Sequence, residues 1–484
     1  MLRLALGLVC LMAGLAEAAG PPVSHLDWAR AMQGRMAYGM YFRSKKVGWV
    51  VEEMKVTQVK GVPALISSSH TYMLTLFDGE KSLKEETSST TYALDGVGPI
   101  LQAESVRKDD GKEVQQRVER VKDGLRIVTK QGGREITRTV PSPRDTIAHH
   151  RQLEGWLQGN RKAGDLFNKY STSWEEEDVD SKQVYHYKER KEILFGGLPT
   201  LVHSVTINLD GGKLDAVIFS DTRTLSGTMG GLLTLKLEPE KEARRMDGKP
   251  VDLMPVTSVI IDREIGRARD VDALKIEVEG LGDFKVPASH RQVVTASKNG
   301  LLVELKRDFR VEKPAPLTEK QRSFYTRSTP RLQSDQELVK NQARAIVGEE
   351  KNPTRAAQKI ENWVYKTLRK SYSDNAETAL EILDTKAGDC TEHALLFVAL
   401  CRAAGIPARE VGGLAYLRGF KPLFGWHAWA EFHDGHQWVS VDPTWHQVQV
   451  DGTHLKMSTG ERDLAWTNVI GTLKIKVVDV KTRK

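Results

Sequence analysis

The sequence predicts an α+β protein in which an N-terminal antiparallel β-rich region precedes a C-terminal domain of helices followed by strands. Three observations predict it. From about residue 35 to 250, apolar residues recur with period two in short runs separated by Gly-, Asp- and Lys-rich turn clusters. From Ser334 the spacing becomes helical, and beyond Gly405 and Pro407 it returns to period two.

Taken in order, the opening M-L-R-L-A-L-G-L-V-C-L-M-A-G-L-A-E-A has one positive residue, an apolar run and a small-x-small end. That pattern predicts a signal peptide at 1–18 and an exported mature chain, periplasmic or secreted, with no transmembrane segment. No small residue precedes Cys10, which argues against a lipid anchor there. Residues 19–254 form the β-rich region. M-A-Y-G-M-Y-F, V-G-W-V-V-E-E-M-K-V, A-L-I-S-S-S-H-T-Y-M-L-T-L, G-L-R-I-V-T-K and E-I-T-R-T-V alternate as strands between turns such as K-D-D-G-K and K-Q-G-G-R. Ser142-Pro143-Arg144-Asp145 reads as the start of a helix whose inner face is Ile147, Leu153, Trp156 and Leu157. Strands resume near Lys182. G-V-P-A-L-I at 61–66 and G-L-P-T-L-V at 197–202 echo one another, which suggests two related β units.

A small β segment at 255–312 follows (S-V-I-I-D, L-K-I-E-V-E-G-L, G-L-L-V-E-L-K-R), then a proline-bearing linker at 313–333. The domain at 334–484 opens with a capping box at Ser334–Glu337, a second helix capped by Asn352-Pro353, and a short A-L-E-I-L helix. Strands at A-R-E-V-G-G-L-A-Y-L, H-A-W-A-E-F, Q-W-V-S-V and L-K-I-K-V-V complete it. With 484 residues, 40% of them hydrophobic and 28% charged, the chain can bury about three ordinary cores. Its net charge of +7 is dispersed, which gives no reason to expect nucleic acid as a partner and leaves weak affinity for an anionic envelope surface.

Chemistry concentrates between Thr385 and Gln447. In K-A-G-D-C-T-E-H-A-L-L-F-V-A-L, Asp389 and Glu392 have capping-box spacing, so Cys390 falls in the first turn of a helix. Unpaired N–H groups and the positive end of the dipole collect there, so the thiol pKa is expected to fall. His427 lies on the alternating strand G-W-H-A-W-A-E-F, and Asp442 ends Q-W-V-S-V-D just before Pro443. These three supply a nucleophile, a base and a group that orients the base. His393, one turn after Cys390, is a poorly placed base and is expected in the wall of the site. Trp426, beside His427, is a candidate substrate contact. Cys401, eleven residues further along the same helix, is about 16 Å of rise away and reads as packing. His433, His436, His446 and His454 are scattered without ligand spacing, so no metal and no cofactor is expected.

These residues resemble the transglutaminase-like superfamily of papain-like thiol enzymes. The resemblance covers roughly 335–475 and rests on A-G-D-C-T-E-H-A, R-A-A-G-I-P-A-R, W-H-A-W-A-E, V-D-P-T and T-H-L-K in that order. It implies a Cys390–His427–Asp442 triad acting on amide or peptide bonds of a protein or peptide substrate through an acyl-thioester. No calcium loop is present, so the calcium dependence of animal transglutaminases is not implied. Hydrolysis is the favoured outcome, transamidation the alternative, and a non-catalytic envelope binding or assembly role the third reading.

Overall fold

The computed structural model describes residues 24–484 apart from 78, 175–177, 210–211, 247–248, 373–375, 419–420, 461–468, 470 and 484. The leader expected at 1–18 lies outside the described residues. The chain divides into two compact units, one of residues up to 76 with 81–251, the other of 77–80 with 252–484.

One large antiparallel sheet makes up most of the first unit. Eight strands from Gly34–Phe42 to Arg134–Val140 form one meander, and six from Leu166–Thr172 to Leu233–Glu238 form another. The first strand of one meander pairs with the last of the other, which joins them edge to edge. The two echoing segments occupy equivalent places. Val62–Phe77 follows a two-residue turn at Lys60-Gly61, and Leu198–Asn208 follows one at Gly196-Gly197. All four turn residues have positive φ, the geometry that matches strand twist in a tight hairpin.

Helix His25–Met32 lays Trp28, Ala29 and Met32 against Leu65, Ile100, Leu125 and Ile127. The helix expected after Ser142 begins later, at Ile147, and its cap is Thr146, whose side chain accepts from the His149 N–H. Asp145 does not cap it. The carboxylate turns inward to His150, which replaces Trp156 as a fully buried member of the inner face.

In the second unit two sheets enclose a core. Strands Val259–Ile260, Pro422–His433, Ala408–Arg418 and His454–Thr459 lie in that order, with Trp438–Val441 also paired to Pro422–His433. The other sheet runs Gln292–Ala296, Leu301–Lys306, Val271–Glu279, Lys474–Thr482. Leu274, Ile276, Val303 and Leu305 of the latter pack on Leu414, Tyr416, Phe424 and Leu455 of the former. Two expectations change here. The segment at 255–312 shares sheets with the last strands of the chain, and the stretch at 313–333 carries a helix, Glu319–Thr326, with its own capping box at Thr318 and Gln321. Proline and charge had suggested a linker, but that helix packs on the strand Ala408–Arg418. Nor is Ser334–Glu337 a capping box: helix Glu337–Val347 has Gln336 at its N-cap with no side-chain bond, and Asp335 accepts from Ser328 at 2.5 Å.

Helix Cys390–Ala403 is the centre of this unit. Every residue from Glu392 to Arg402 is buried, against helices Glu337–Val347, Pro353–Thr367 and Ala379–Thr385 and against the strands Ala408–Arg418 and Pro422–His433. Phe397 meets Phe432 with ring centroids 6.4 Å apart. A helix apolar on all sides is stable only where neighbours cover all of it.

Candidate active site

Cys390 opens that central helix, as expected. Asp389 is the N-cap, its carboxylate accepting from the Thr391 N–H at 2.7 Å, and the Glu392 carboxyl accepts from the Asp389 N–H at 2.7 Å. Gly388 makes this possible. A Cβ there would overlap Cβ and Cγ of Glu392, which folds back over the glycine to complete the box. The thiol accepts a hydrogen bond from the Ala428 N–H, which places the sulfur beside the peptide that follows His427.

His427 sits mid-strand with Gly413 opposite it on the neighbouring strand. A side chain at Gly413 would collide with the Leu455 carbonyl and the Trp429 ring. The imidazole is stacked on Trp445 at 4.0 Å and 10° and donates from Nε2 to Asp442 Oδ2 at 2.9 Å. Asp442 is fully buried and held by its own loop: Oδ1 accepts from the N–H groups of Thr444 and Trp445, and its backbone pairs both ways with Gln447. Burial alone would raise the Asp442 pKa, but His427 and His454 hold it well below the usual carboxylate range. With Nε2 committed to Asp442, Nδ1 of His427 is the nitrogen left to act as a base.

The thiol differs from expectation. Its pKa is pushed well above the ordinary value, first by burial and then by the Asp389 carboxylate, with Glu392 and Asp442 adding to it. The helix start and the Ala428 N–H act in the opposite sense and are outweighed. Desolvating a thiolate beside anions costs more than one N-terminal dipole returns. The balance at Cys390 is thus toward the neutral thiol.

The structure places the remaining predicted residues as follows. His393 is buried and bonded through Nδ1 to the Asp389 carbonyl at 2.7 Å, which ties it to the cap. Trp426 is partly buried and packs against the core between the two sheets, opposite Leu414. Cys401 is wholly buried. His446 bonds to Glu361, and His433 and His436 bond to the carbonyls of Ala315 and Val311.

His454 is the residue that sequence reasoning passed over. Its spacing in the sequence makes it one of four scattered histidines, yet it is buried with Nε2 at 3.3 Å from Asp442 Oδ2 and Nδ1 at 3.2 Å from Asp451 Oδ1. The signal was present in D-G-T-H-L-K, which places an aspartate three residues before the histidine, but the strand His454–Thr459 that aims the ring was not recognised. The ligand atoms of His427, Asp442 and His454 lie within 4.8 Å of one another, close enough to surround a metal ion. Nε2 of His427 and both ring nitrogens of His454 already face carboxylate oxygens at hydrogen-bond distance, which leaves Nδ1 of His427.

Residues 340–443 match the model of the transglutaminase-like superfamily. An uncharacterized protein of Haemophilus influenzae is 32% identical over 143 residues, 24% of this chain and 38% of that one. A protein-glutamine gamma-glutamyltransferase of Pseudomonas aeruginosa is 40% identical over 74 residues, 13% of this chain and 11% of that one. The chain thus spans well under half the length of either relative. A solved structure from Cytophaga hutchinsonii, described as a candidate cysteine protease, aligns with 44% of this chain and 86% of its own at 16% identity and a TM-score of 0.28.

Proposed function

We propose that this chain, whose residues 340–443 form a transglutaminase-like domain, is an exported thiol enzyme that opens amide or peptide bonds, with Cys390 as nucleophile, His427 as base and Asp442 as its orienting partner. The observation that carries the reading is the committed ring: Asp442 takes Nε2 of His427, and the thiol lies against the N–H of Ala428, the next residue of the same strand. Nδ1 takes the proton from Sγ as the sulfur attacks the carbonyl carbon, and the N–H of Cys390 at the helix start receives the developing oxyanion. The protonated ring then hands its proton to the leaving amine, which departs as the C–N bond breaks and leaves a thioester. Asp442 steadies the imidazolium between the two steps.

Cys390 keeps part of its surface accessible to a second nucleophile, and water is the one this reading favours. A transamidation reading draws support from the relative named a protein-glutamine gamma-glutamyltransferase, where an amine attacks the thioester in place of water. The test is to incubate the full-length protein with a cell-envelope extract and a tagged primary amine, beside Cys390→Ala. New fragments without label, lost in Cys390→Ala, are the expected result. Label incorporated into protein would transfer the reading to transamidation. Neither product, with envelope binding equal in both proteins, would leave a binding module.

A further inference from the structure

The geometry points to His454 as a second histidine of the active-site relay: a positioning residue that shares Oδ2 of Asp442 with His427, as a cation held between two aspartates. This rests on the triad reading above and deepens it.

The argument starts from the lone pairs of Asp442. Its carboxylate accepts four hydrogen bonds, from the N–H groups of Thr444 and Trp445 on Oδ1 and from the two imidazoles on Oδ2, which is its full capacity. At His454 both ring nitrogens face carboxylate oxygens, which only accept. Both nitrogens must therefore carry protons, and the ring is an imidazolium. Burial would lower its pKa, but Asp451 and Asp442 together raise it, in agreement with the geometry.

Asp451 is itself fixed. Its Oδ1 also accepts from Thr453 N and Oγ1 at 2.9 and 2.6 Å, and Gln447 bonds both its Oδ2 and its N–H. The loop is clamped from another segment of the chain. Arg291, fully buried, donates to the carbonyls of His454 and Asp451 at 2.9 and 3.1 Å, and Gln292 bonds Lys456 through both its carbonyl and its amide. Residues 291–292, in the small β segment, thus hold the loop that holds His454. The charged or titratable groups around the ring are Asp442, Asp451, His427 and the Arg291 guanidinium, with Glu361 beyond Asp442.

A cation on the same carboxylate oxygen does two things. It keeps a fully buried carboxylate ionised, and as a second donor it prevents the carboxylate from rotating away from Nε2 of His427. His427 is then locked in the tautomer whose Nδ1 lone pair is free.

The test uses the full-length protein with histidine-selective ¹⁵N labelling and iodoacetamide as the thiol probe, the Cys390 adduct being followed by mass spectrometry. In the unaltered protein His454 is expected to remain doubly protonated at pH 7, and His427 to be a single Nε2–H tautomer when neutral. His454→Phe is expected to convert His427 to a tautomer mixture and to slow Cys390 labelling about five- to tenfold, while His454→Gln, whose amide can donate to Oδ2, restores most of both. Asp451→Asn is expected to lower the pH at which His454 titrates, and with His454→Gln it carries the test should the Phe variant not fold. A His454 that is neutral at pH 6, or a Phe variant with unchanged His427 tautomer and labelling while His427→Ala slows labelling, would overturn the inference alone. Labelling unaffected by His427→Ala would instead remove the triad reading, and this inference with it.

Discussion

Each unit of the molecule buries a histidine against an aspartate, His150 on Asp145 at 2.7 Å in the first and His427 on Asp442 at 2.9 Å in the second. What surrounds the two pairs separates structure from chemistry. Around Asp145 the neighbouring hydroxyls, from Tyr92 and Thr172, donate to the carboxylate, so none is polarised by the ring. Burial and then the Lys169 charge push the His150 pKa down to about 4, which keeps that ring from accepting a proton near neutrality. Around Asp442 the second neighbour is a histidine cation, the aromatic face of Trp445 covers the base, and a thiol stands at the next peptide. A buried dyad becomes a candidate catalyst when a ring nitrogen is left over and the charges around it tolerate an imidazolium.

The sharpest way to break this comparison is to remove each base. His427→Ala should reduce turnover of whichever substrate the envelope assay identifies by about 10²–10⁴-fold, the range for losing a general acid–base group. His150→Ala should leave turnover per folded molecule within about twofold while lowering the stability of the first unit. Comparable losses from both variants would erase the distinction.

The two histidines should also respond to pH in opposite directions. His150 has a folded pKa below its unfolded value, so its contribution to stability is present above about pH 6.5 and is lost as pH falls through about 4, on the order of 3 kcal/mol. His454 has a raised folded pKa, so its contribution is complete below about pH 6.5 and is lost as pH rises through the folded value. Asp451, held down to about 2 by His454 and by hydrogen bonds from Thr453 despite its burial, stays ionised across that window. Hydrogen exchange of residues 147–158 and 451–459 at pH 4.5, 6 and 8.5 should show the first segment loosening on the acid side and the second on the basic side. Loosening of both in the same direction would mean that other groups control the two regions.

Legibility from sequence followed the same physical lines. Cys390, His427 and Asp442 were readable because each sits where a local pattern is strong: a capping box, an alternating strand, a proline stop. His454 and Arg291 were not, because their roles depend on contacts 12 and 163 residues away in sequence. In the first unit the apolar strands were visible, whereas Glu80–Ala93, Ile100–Asp109 and Lys112–Val121 were missed. Their exposed and half-buried faces carry Ser, Thr, Glu and Gln, with Ser69–Ser88 and Gln116–Thr129 bonded across strands, so no apolar alternation marks them. The direction of the Cys390 shift was misread for a related reason: the helix start is local, while the burial that outweighs it comes from tertiary packing.

Gly388 offers a smaller test. Gly388→Ala should cost about 1–3 kcal/mol as the new methyl displaces Glu392 from the capping box, the usual range for overpacking. Because Cys390 is the first residue of that helix, its labelling by iodoacetamide should change as well. Gly→Ala at Gly155, where a Cβ meets nothing within 4 Å in the helix that carries His150, should not destabilise at all. A Gly388→Ala protein as stable as the parent would show that the glutamate can leave without consequence.

The smallest effects compare the two helix caps. Thr146→Ala removes the side chain that caps the His150 helix and should cost about 1 kcal/mol, with no change at the thiol. Asp389→Asn keeps a good N-cap and removes only a charge, so stability should move by no more than about 0.5 kcal/mol. The charge it removes is the second cause, after burial, of the raised Cys390 pKa. The thiol pKa should therefore fall, and labelling at pH 7 should rise severalfold, with the pH–rate curve displaced toward acid. Asp389 is then a group that holds the sulfur protonated until His427 takes the proton, at little cost to the fold. An unmoved pH–rate curve in Asp389→Asn would mean that burial alone keeps the thiol neutral and that the cap charge has no part in the chemistry.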